Sequence, residues 1–345
     1  MEIGIGLDAT LNLTFEEQAQ LAQEAARLGY TSIWTPETTG YDSFQTCAIR
    51  WEATRQVVPG GLTTGIAVSP VALRTPMSLA MGGGTVSART GGRFILGIGS
   101  GGLYREEERR ALGIKGSTIG LMRDYLITVR ALVAGETVTY EGTALTLRGA
   151  HLAIEPPPRT PVHLGALGPQ MLRLGGERAD GVDLNWCTPD QIAWSRERVA
   201  EGAARTGRDP SSVTVAEYIR VCVDDDVELA RRTFVRNMLG YALGRHGAGA
   251  RDRNLGYRAH FERMGFTQEL SRLDEMRSGG ASLQQLADAF PAEMALRVGY
   301  FGRATGAAKA FRSLAKGLDI AIVRVVAARP GVEHVLATLR ACRPT

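Results

Sequence analysis

Metal-binding and redox spacings of cysteine and histidine are missing from this chain. Cys47, Cys187, Cys222 and Cys342 lie far apart with no C-x-x-C pair, and no two of the five histidines are set as H-E-x-x-H or H-x-H. Neither a zinc ribbon nor a thioredoxin-like motif can be built locally from such spacing. Free buried thiols and no metal are expected. Also missing is any apolar run near the ~18 residues of a membrane span. The opening residues, Met1 to Gly6, lack the basic and apolar regions of a secretory signal, so a cytoplasmic protein is expected. Charge of one sign is scarce too: 40 Lys+Arg against 36 Asp+Glu leave +4 over 345 residues, with the basic residues scattered among acids. That argues against a nucleic-acid face or a polybasic membrane surface and leaves a small anionic ligand open.

What the chain has in surplus is glycine, 42 residues, about 12% against a usual ~7%. With 44% hydrophobic and 22% charged residues, it is otherwise an ordinary globular sequence, and its length suits one large barrel or two smaller domains. Strands are expected at 2–7, 31–35, 62–68 and 93–98. Between them run helices opened by the capping box Thr14-Phe15-Glu16-Glu17, by 42–57 and by Thr75-Pro76, the last ending near Gly91-Gly92. Four strand-then-helix units in just over a hundred residues imply parallel strands with right-handed crossovers. A helix over 118–134 then leads to a hairpin at 137–147 turning on Glu141-Gly142, and Pro156-Pro157-Pro158 closes that excursion. Further strands fall at 162–166, 181–184, 213–223 and 319–326. Eight parallel strands close a (β/α)8 TIM barrel. It is expected as a single domain over 1–345, with loop insertions at about 136–160 and, mostly helical, at about 225–300.

Two glycine clusters bear on function. Gly97-Ile98-Gly99-Ser100-Gly101-Gly102 fits G-x-G-x-x-G after a strand, yet the next confident helix waits until residue 118 and a hairpin follows it. A dinucleotide fold wants a helix at once and then a parallel strand. The better reading is a small-residue loop at the carboxyl end of the fourth strand, where a flat ligand can approach the backbone; a turn without a ligand is the bland one. Gly165-Ala166-Leu167-Gly168-Pro169-Gln170-Met171 joins the fifth strand to a helix. Its first-turn N–H groups form an anion site without a cationic side chain, unless it is merely a short loop.

Acids stand at strand ends: Asp8 after the first strand and Glu37 after the second, both on the carboxyl face that carries chemistry in such barrels. A carboxyl buried against a flat cofactor has its pKa raised and serves as a general acid or base; an ion pair or a solvated loop is the alternative. Asp42 competes with them but suits a helix N-cap. Glu106 to Arg110 reads as a solvated face. Trp34 and Trp186 stack on a ligand or pack in the core. Tyr241, Arg245, Tyr257 and Arg258 line a pocket or lie on a solvated helix.

Taken in order, several segments resemble the luciferase-like flavin and deazaflavin oxidoreductases, in particular the coenzyme F420 branch. They are Ser32 to Glu37 with Gly40 to Phe44, Thr64 to Pro70 with Arg74-Thr75-Pro76, Gly92 to Gly101, and Gly165 to Met171 leading through Ala179-Asp180-Gly181 to Asn185-Trp186. The similarity is nearest to methylene-tetrahydromethanopterin reductases, although Asp8 is displaced by two residues from the acid those enzymes carry. Glu37 and Gly102 stand where the sugar-phosphate dehydrogenases of the family have a histidine and an acid. The resemblance implies a deazaflavin across the carboxyl ends of the strands, its phosphate on the loop of Gly165, Ala166, Leu167, Gly168, Pro169 and Gln170. It implies a non-prolyl cis peptide between Ile66 and Ala67, with Val68 in the same bulge, and Ser100, Gly101 and Gly102 along the tail or ring. It further implies hydride transfer to or from a small organic substrate such as a pterin-type methylene compound or an enone, a protein-borne proton donor at Glu37 or Asp8, and a homodimer. A reduced-FMN monooxygenase on the same barrel is the alternative, and a non-catalytic barrel that binds a partner is a third reading.

Overall fold

Strand and helix alternate along the chain, each helix opened by the residues the sequence supplies. The computed structural model describes residues 1–103, 105–155, 157–244 and 250–344, so Pro156 and Arg245 lie outside the described residues. β1 (Glu2–Gly6) leads through a short 3-10 turn to α1 (Phe15–Arg27), where Thr14 and Glu17 complete a capping box. β2 (Ser32–Thr35) precedes α2 (Ser43–Thr54), N-capped by Asp42. β3 (Thr63–Pro70) precedes α3 (Pro76–Thr90), which starts on Thr75 and stops at Gly91 in the left-handed region, φ 62°. β4 (Phe94–Gly99) is followed by α4 (Glu106–Ala111), α5 (Thr118–Val133) and an antiparallel hairpin of β5 (Val138–Glu141) with β6 (Thr146–Ala150). The alternation resumes with β7 (Val162–Gly165), α6 (Pro169–Arg178), β8 (Gly181–Asn185), α7 (Pro189–Ala204) and β9 (Thr214–Val223). A helical stretch follows: α8 (Val227–Ala242), α9 (Ala250–Leu255), α10 (Tyr257–Phe261), α11 (Thr267–Ser278), α12 (Leu283–Ala289) and α13 (Ala292–Ala295). β10 (Gly299–Gly302), α14 (Ala304–Leu314), β11 (Ile320–Val325) and α15 (Val332–Ala341) complete the set.

The strands β1, β2, β3, β4, β7, β8, β9 and β11 pair in parallel in that order, and β11 returns to β1, closing a (β/α)8 barrel. All eight are the strands read from the sequence. β10 was not foreseen: it is a ninth parallel strand inside the stretch read as helical, pairing Gly299 to Gly302 with Arg220 to Val223. Four residues flanked by glycine carry no alternation long enough to register as a strand. Glu106 to Arg110 is not wholly a solvated face either. Arg109 is buried and donates to Thr118 Oγ1 at 2.9 Å and to the Gly116 carbonyl.

Much of the glycine surplus is spent inside the barrel. Trp34 is fully buried, and a Cβ on Gly65 would fall on its ring; one on Gly4 would meet both Ser32 and Trp34. A Cβ on Gly181 would meet His163, one on Gly97 the Ile66 carbonyl and Asp183, and one on Gly6 Tyr218. Missing side chains on one strand thus make room for large or polar ones on the next, which keeps the interior filled at native density. Arg50, also buried, donates to the carbonyls of Leu7 and Trp34 and to Gln18 Oε1 and so ties the ends of β1 and β2 together. The four cysteines are buried and unpaired. No described helix is long and apolar enough to cross a membrane.

Candidate functional site

The chemistry-bearing groups gather at the carboxyl ends of the strands. β3 breaks register between Ile66 and Ser69, with a cis peptide between Ala67 and Val68. The expected bond was one residue earlier, at Ile66–Ala67; Ile66 instead stays in regular pairing with Thr35 and Leu96, which leaves the irregularity to the next peptide. Val68 takes the space that side chains at Gly99 and Gly165 would occupy. Those two glycines therefore serve the bulge, and through it whatever lies against it.

Glu37 clamps this bulge from behind. Its backbone N–H donates to the Val68 carbonyl at 3.3 Å, and its carboxylate accepts from Ser69 Oγ and from Arg74, Nε to Oε1 at 2.8 Å. Arg74 reaches on to Asp42, which also caps α2 by accepting the Gln45 N–H at 3.0 Å. Burial alone would raise the Asp42 pKa, but the Gln45 N–H and Arg74 outweigh it and hold the carboxyl below its ordinary value. Arg74 was quoted from the sequence without a role. Only the fold shows that it binds both acids.

The second glycine cluster opens α6. Gly168 is its N-cap in an extended conformation, no side chain caps the Gln170 and Met171 end, and nothing lies within 4 Å of where a Gly168 Cβ would be. Such a helix start, dipole included, fits a phosphate. Arg263 donates to the Leu167 carbonyl at 2.9 Å and so brings a cation to this loop. Being 96 residues away in sequence, it left no local signal. Ala166 is buried, its N–H on the Asp183 carbonyl at 3.2 Å. Ser100 is half-buried, Gly101 turns against Pro70 with φ 55°, and Gly102 faces the Glu108 side chain.

On the β11–β1–β2 side the strands end at a cavity of about 100 Å³ bordered by Asp8, Thr38, Arg220, Asn237, Tyr241 and Arg324. A wider one of about 400 Å³ shares Asp8 and Thr38 with it and extends to Tyr41 and Arg50. Asp8 accepts from the Thr10 N–H at 2.8 Å and forms an ion pair with Arg324, whose Nε is 2.8 Å away. The sequence suggested a raised pKa for a buried acid here. Burial does push in that direction, but Arg324 and the Thr10 bonds outweigh it and hold Asp8 below its ordinary value. Neither cavity is bordered by Glu37.

Arg220 lies 3.9 Å over the Trp186 ring and reaches the Tyr241 hydroxyl at 3.5 Å. The same Tyr241 hydroxyl is pushed up by burial and drawn down further by Arg220 and Arg324, so its pKa ends below the ordinary tyrosine value. Trp34 packs inside the barrel and Trp186 among Phe234, Tyr241 and Phe261; both are fully buried. Tyr257 accepts from Asn185 at 2.6 Å, and Arg258 is tied to Glu262 and Asp274, away from either cavity.

A family model for luciferase-like monooxygenases matches residues 2–318. Among curated relatives, the 5,10-methylenetetrahydromethanopterin reductase of Methanolobus tindarius is 31% identical over 215 residues, 62% of this chain and 63% of its own length. The enzyme of the same name from Archaeoglobus fulgidus is 28% identical over 229 residues, 66% of this chain and 66% of its own. The matched stretch thus spans less than two thirds of either relative. Among solved structures, the coenzyme F420-dependent tetrahydromethanopterin reductase of Methanopyrus kandleri shares the fold with a TM-score of 0.76 at 19% identity, over 99% of this chain and 97% of that one.

Proposed function

The chain belongs to the luciferase-like monooxygenase family, and from that premise we propose that it is a coenzyme F420-dependent oxidoreductase. It would transfer a hydride between the deazaflavin and a small organic substrate, a pterin-type methylene compound or an enone. The observation that carries this is the pairing, at one barrel mouth, of the Val68 bulge nested against Gly99 and Gly165 with the open helix start at Gly168. A flat ring suits the first and a phosphate the second. The names of the two curated relatives point to a pterin, and the Methanopyrus kandleri structure that shares the fold is of a coenzyme F420-dependent enzyme.

When bound, the coenzyme supplies the carbon that gives or takes the hydride. The residues that would hold it are Ile66, Ala67 and Val68 at the ring, Ser100, Gly101 and Gly102 beside it, and Gly165, Ala166, Leu167, Gly168, Pro169 and Gln170 at the phosphate, with Arg263 adding charge. Glu37 positions the bulge through Val68 and Ser69. Asp8 stays ionised at neutral pH and orients Arg324 over the cavity. Both acids, expected as proton carriers, are in this reading positioning groups, because each is committed to an arginine. The proton is best held by the Tyr241 hydroxyl, which borders the cavity and meets Arg220. A homodimer, which the resemblance implies, and a cytoplasmic setting, expected from the sequence, accompany the reading.

Fluorescence titration of the purified chain with F420 and with FMN tests the cofactor. Saturable F420 binding is expected, followed by oxidation of reduced F420 with pterins or enones above an oxygen-only control. Tight FMN binding with no response to F420 overturns the proposal in favour of a monooxygenase.

A further inference from the structure

Two arginines are sealed into the barrel mouth without carboxylate partners among the described residues, and they are not equivalent. Arg50 is saturated by protein: two carbonyls and Gln18 Oε1 take its donors in five contacts. Arg220 is buried to the same degree, yet beside the Trp186 ring it hydrogen-bonds only to Asn185 Oδ1, the Tyr218 carbonyl at 3.4 Å and the Tyr241 hydroxyl at 3.5 Å, none of which is a carboxylate. Its guanidinium borders the smaller cavity. Glu217, the nearest acid along β9, is three residues away and therefore on the opposite face of the strand, where it accepts the Cys187 N–H at 2.6 Å.

The charges around the cavity do not cancel. Asp8 is spent on Arg324, whose side chain it meets through Oδ2, while its other oxygen takes Thr10. That leaves one formal positive charge on Arg220, in a space also bordered by the Asn237 side chain and by the Tyr241 hydroxyl. An uncompensated buried cation is strongly disfavoured, and the penalty is relieved by an anion with bidentate geometry. The cavity is bordered by residues of or after β1, β2, β9 and β11 and of α8, and by none of the 165–170 loop, so its occupant and a phosphate at Gly168 are different groups.

We infer that Arg220 is the seat of a substrate carboxylate, so that the organic substrate of this enzyme is a small acid held by Arg220 with Asn237 and Tyr241 beside it. The inference deepens the proposed function and rests on it for the word substrate. The same chemistry, a carboxylate, could come from an acidic tail on the coenzyme, and the experiment separates the two.

Crotonate and its neutral isostere crotonamide are titrated calorimetrically into the full chain, with and without F420, for the wild type, Arg220→Gln and Arg220→Lys. The wild type is expected to prefer crotonate at least tenfold. Arg220→Gln should lose that preference, and Arg220→Lys should keep part of it, while F420 affinity stays unchanged in both. Equal affinity for acid and amide in the wild type overturns the inference without depending on how any variant folds. Retention of the preference in a folded Arg220→Gln protein also overturns it. Crotonate that competes with F420 assigns the site to the coenzyme and overturns the substrate assignment. Failure of F420 to bind at all defeats the proposed function alone, because the acid-against-amide comparison is read without it.

Discussion

Glu217 sits fully buried on the outer face of β9, one oxygen on the Cys187 N–H and the other without a partner. Burial pushes its pKa up from 4.5 to about 8, against the smaller pull of the Cys187 N–H and Arg220. The unfolded chain releases this proton near the ordinary carboxyl value, whereas the native state holds it until about pH 8. The native state therefore binds more protons across that window, and stability falls as pH rises through it. Glu217→Gln keeps the acceptor and removes the penalty. Its urea midpoint is expected to match the wild type near pH 4.5 and exceed it by a growing margin up to pH 8; parallel curves for the two proteins would refute this. Asp8 behaves oppositely, since Arg324 lowers its pKa and its contribution is lost only in acid. From the sequence both are lone acids in apolar surroundings. Their opposite behaviour follows from what the fold brings beside them.

Among the elements, the strands that end at the mouth use their glycines in two ways that mutation can separate. Gly99 in β4 faces the Val68 side chain, so Gly99→Ala overpacks the bulge, with a loss of about 1–3 kcal/mol and at least tenfold weaker F420 binding. Gly168 before α6 has an ordinary φ of −89° and open space around it. Gly168→Ala should leave stability within about 0.5 kcal/mol yet still weaken F420 binding, because a phosphate approaching the backbone meets the new methyl. Urea unfolding and fluorescence titration read the two effects apart; an unaltered F420 affinity in Gly168→Ala would remove the phosphate from that loop. Elements with local signals were legible: the capping box at Thr14, the Asp42 cap and the Thr75-Pro76 start stand where their residues put them, and the hairpin forms with its turn at 142–145, just past the expected Glu141-Gly142. β10 was not, because its strand state comes from the edge that the long β9 offers it beyond the end of β8.

On the scale of the whole molecule, two apolar clusters divide the labour. The larger fills the space between barrel and outer helices. The other unites Phe234, Met238, Phe261, Phe266, Leu270 and Phe290 under α8–α12 and includes Trp186, Cys222 and Val326 at the barrel mouth. A roof with its own core can open without dissolving the barrel. Native-state hydrogen exchange is expected to show α11 and α12 opening at lower free energy than β1 to β4, and a single shared opening energy would contradict it. The sequence by itself determined the barrel, because alternation, caps and helix stops act between near neighbours and each is written within a few residues. It also marked the mouth, since small residues at strand ends are a local pattern. Only the tertiary structure decided the electrostatics there. Asp8 is partnered with Arg324 from 316 residues away, Glu37 with Arg74, and Arg220 is left facing a cavity, because barrel closure sets which charges meet and which are sealed in without a counterion.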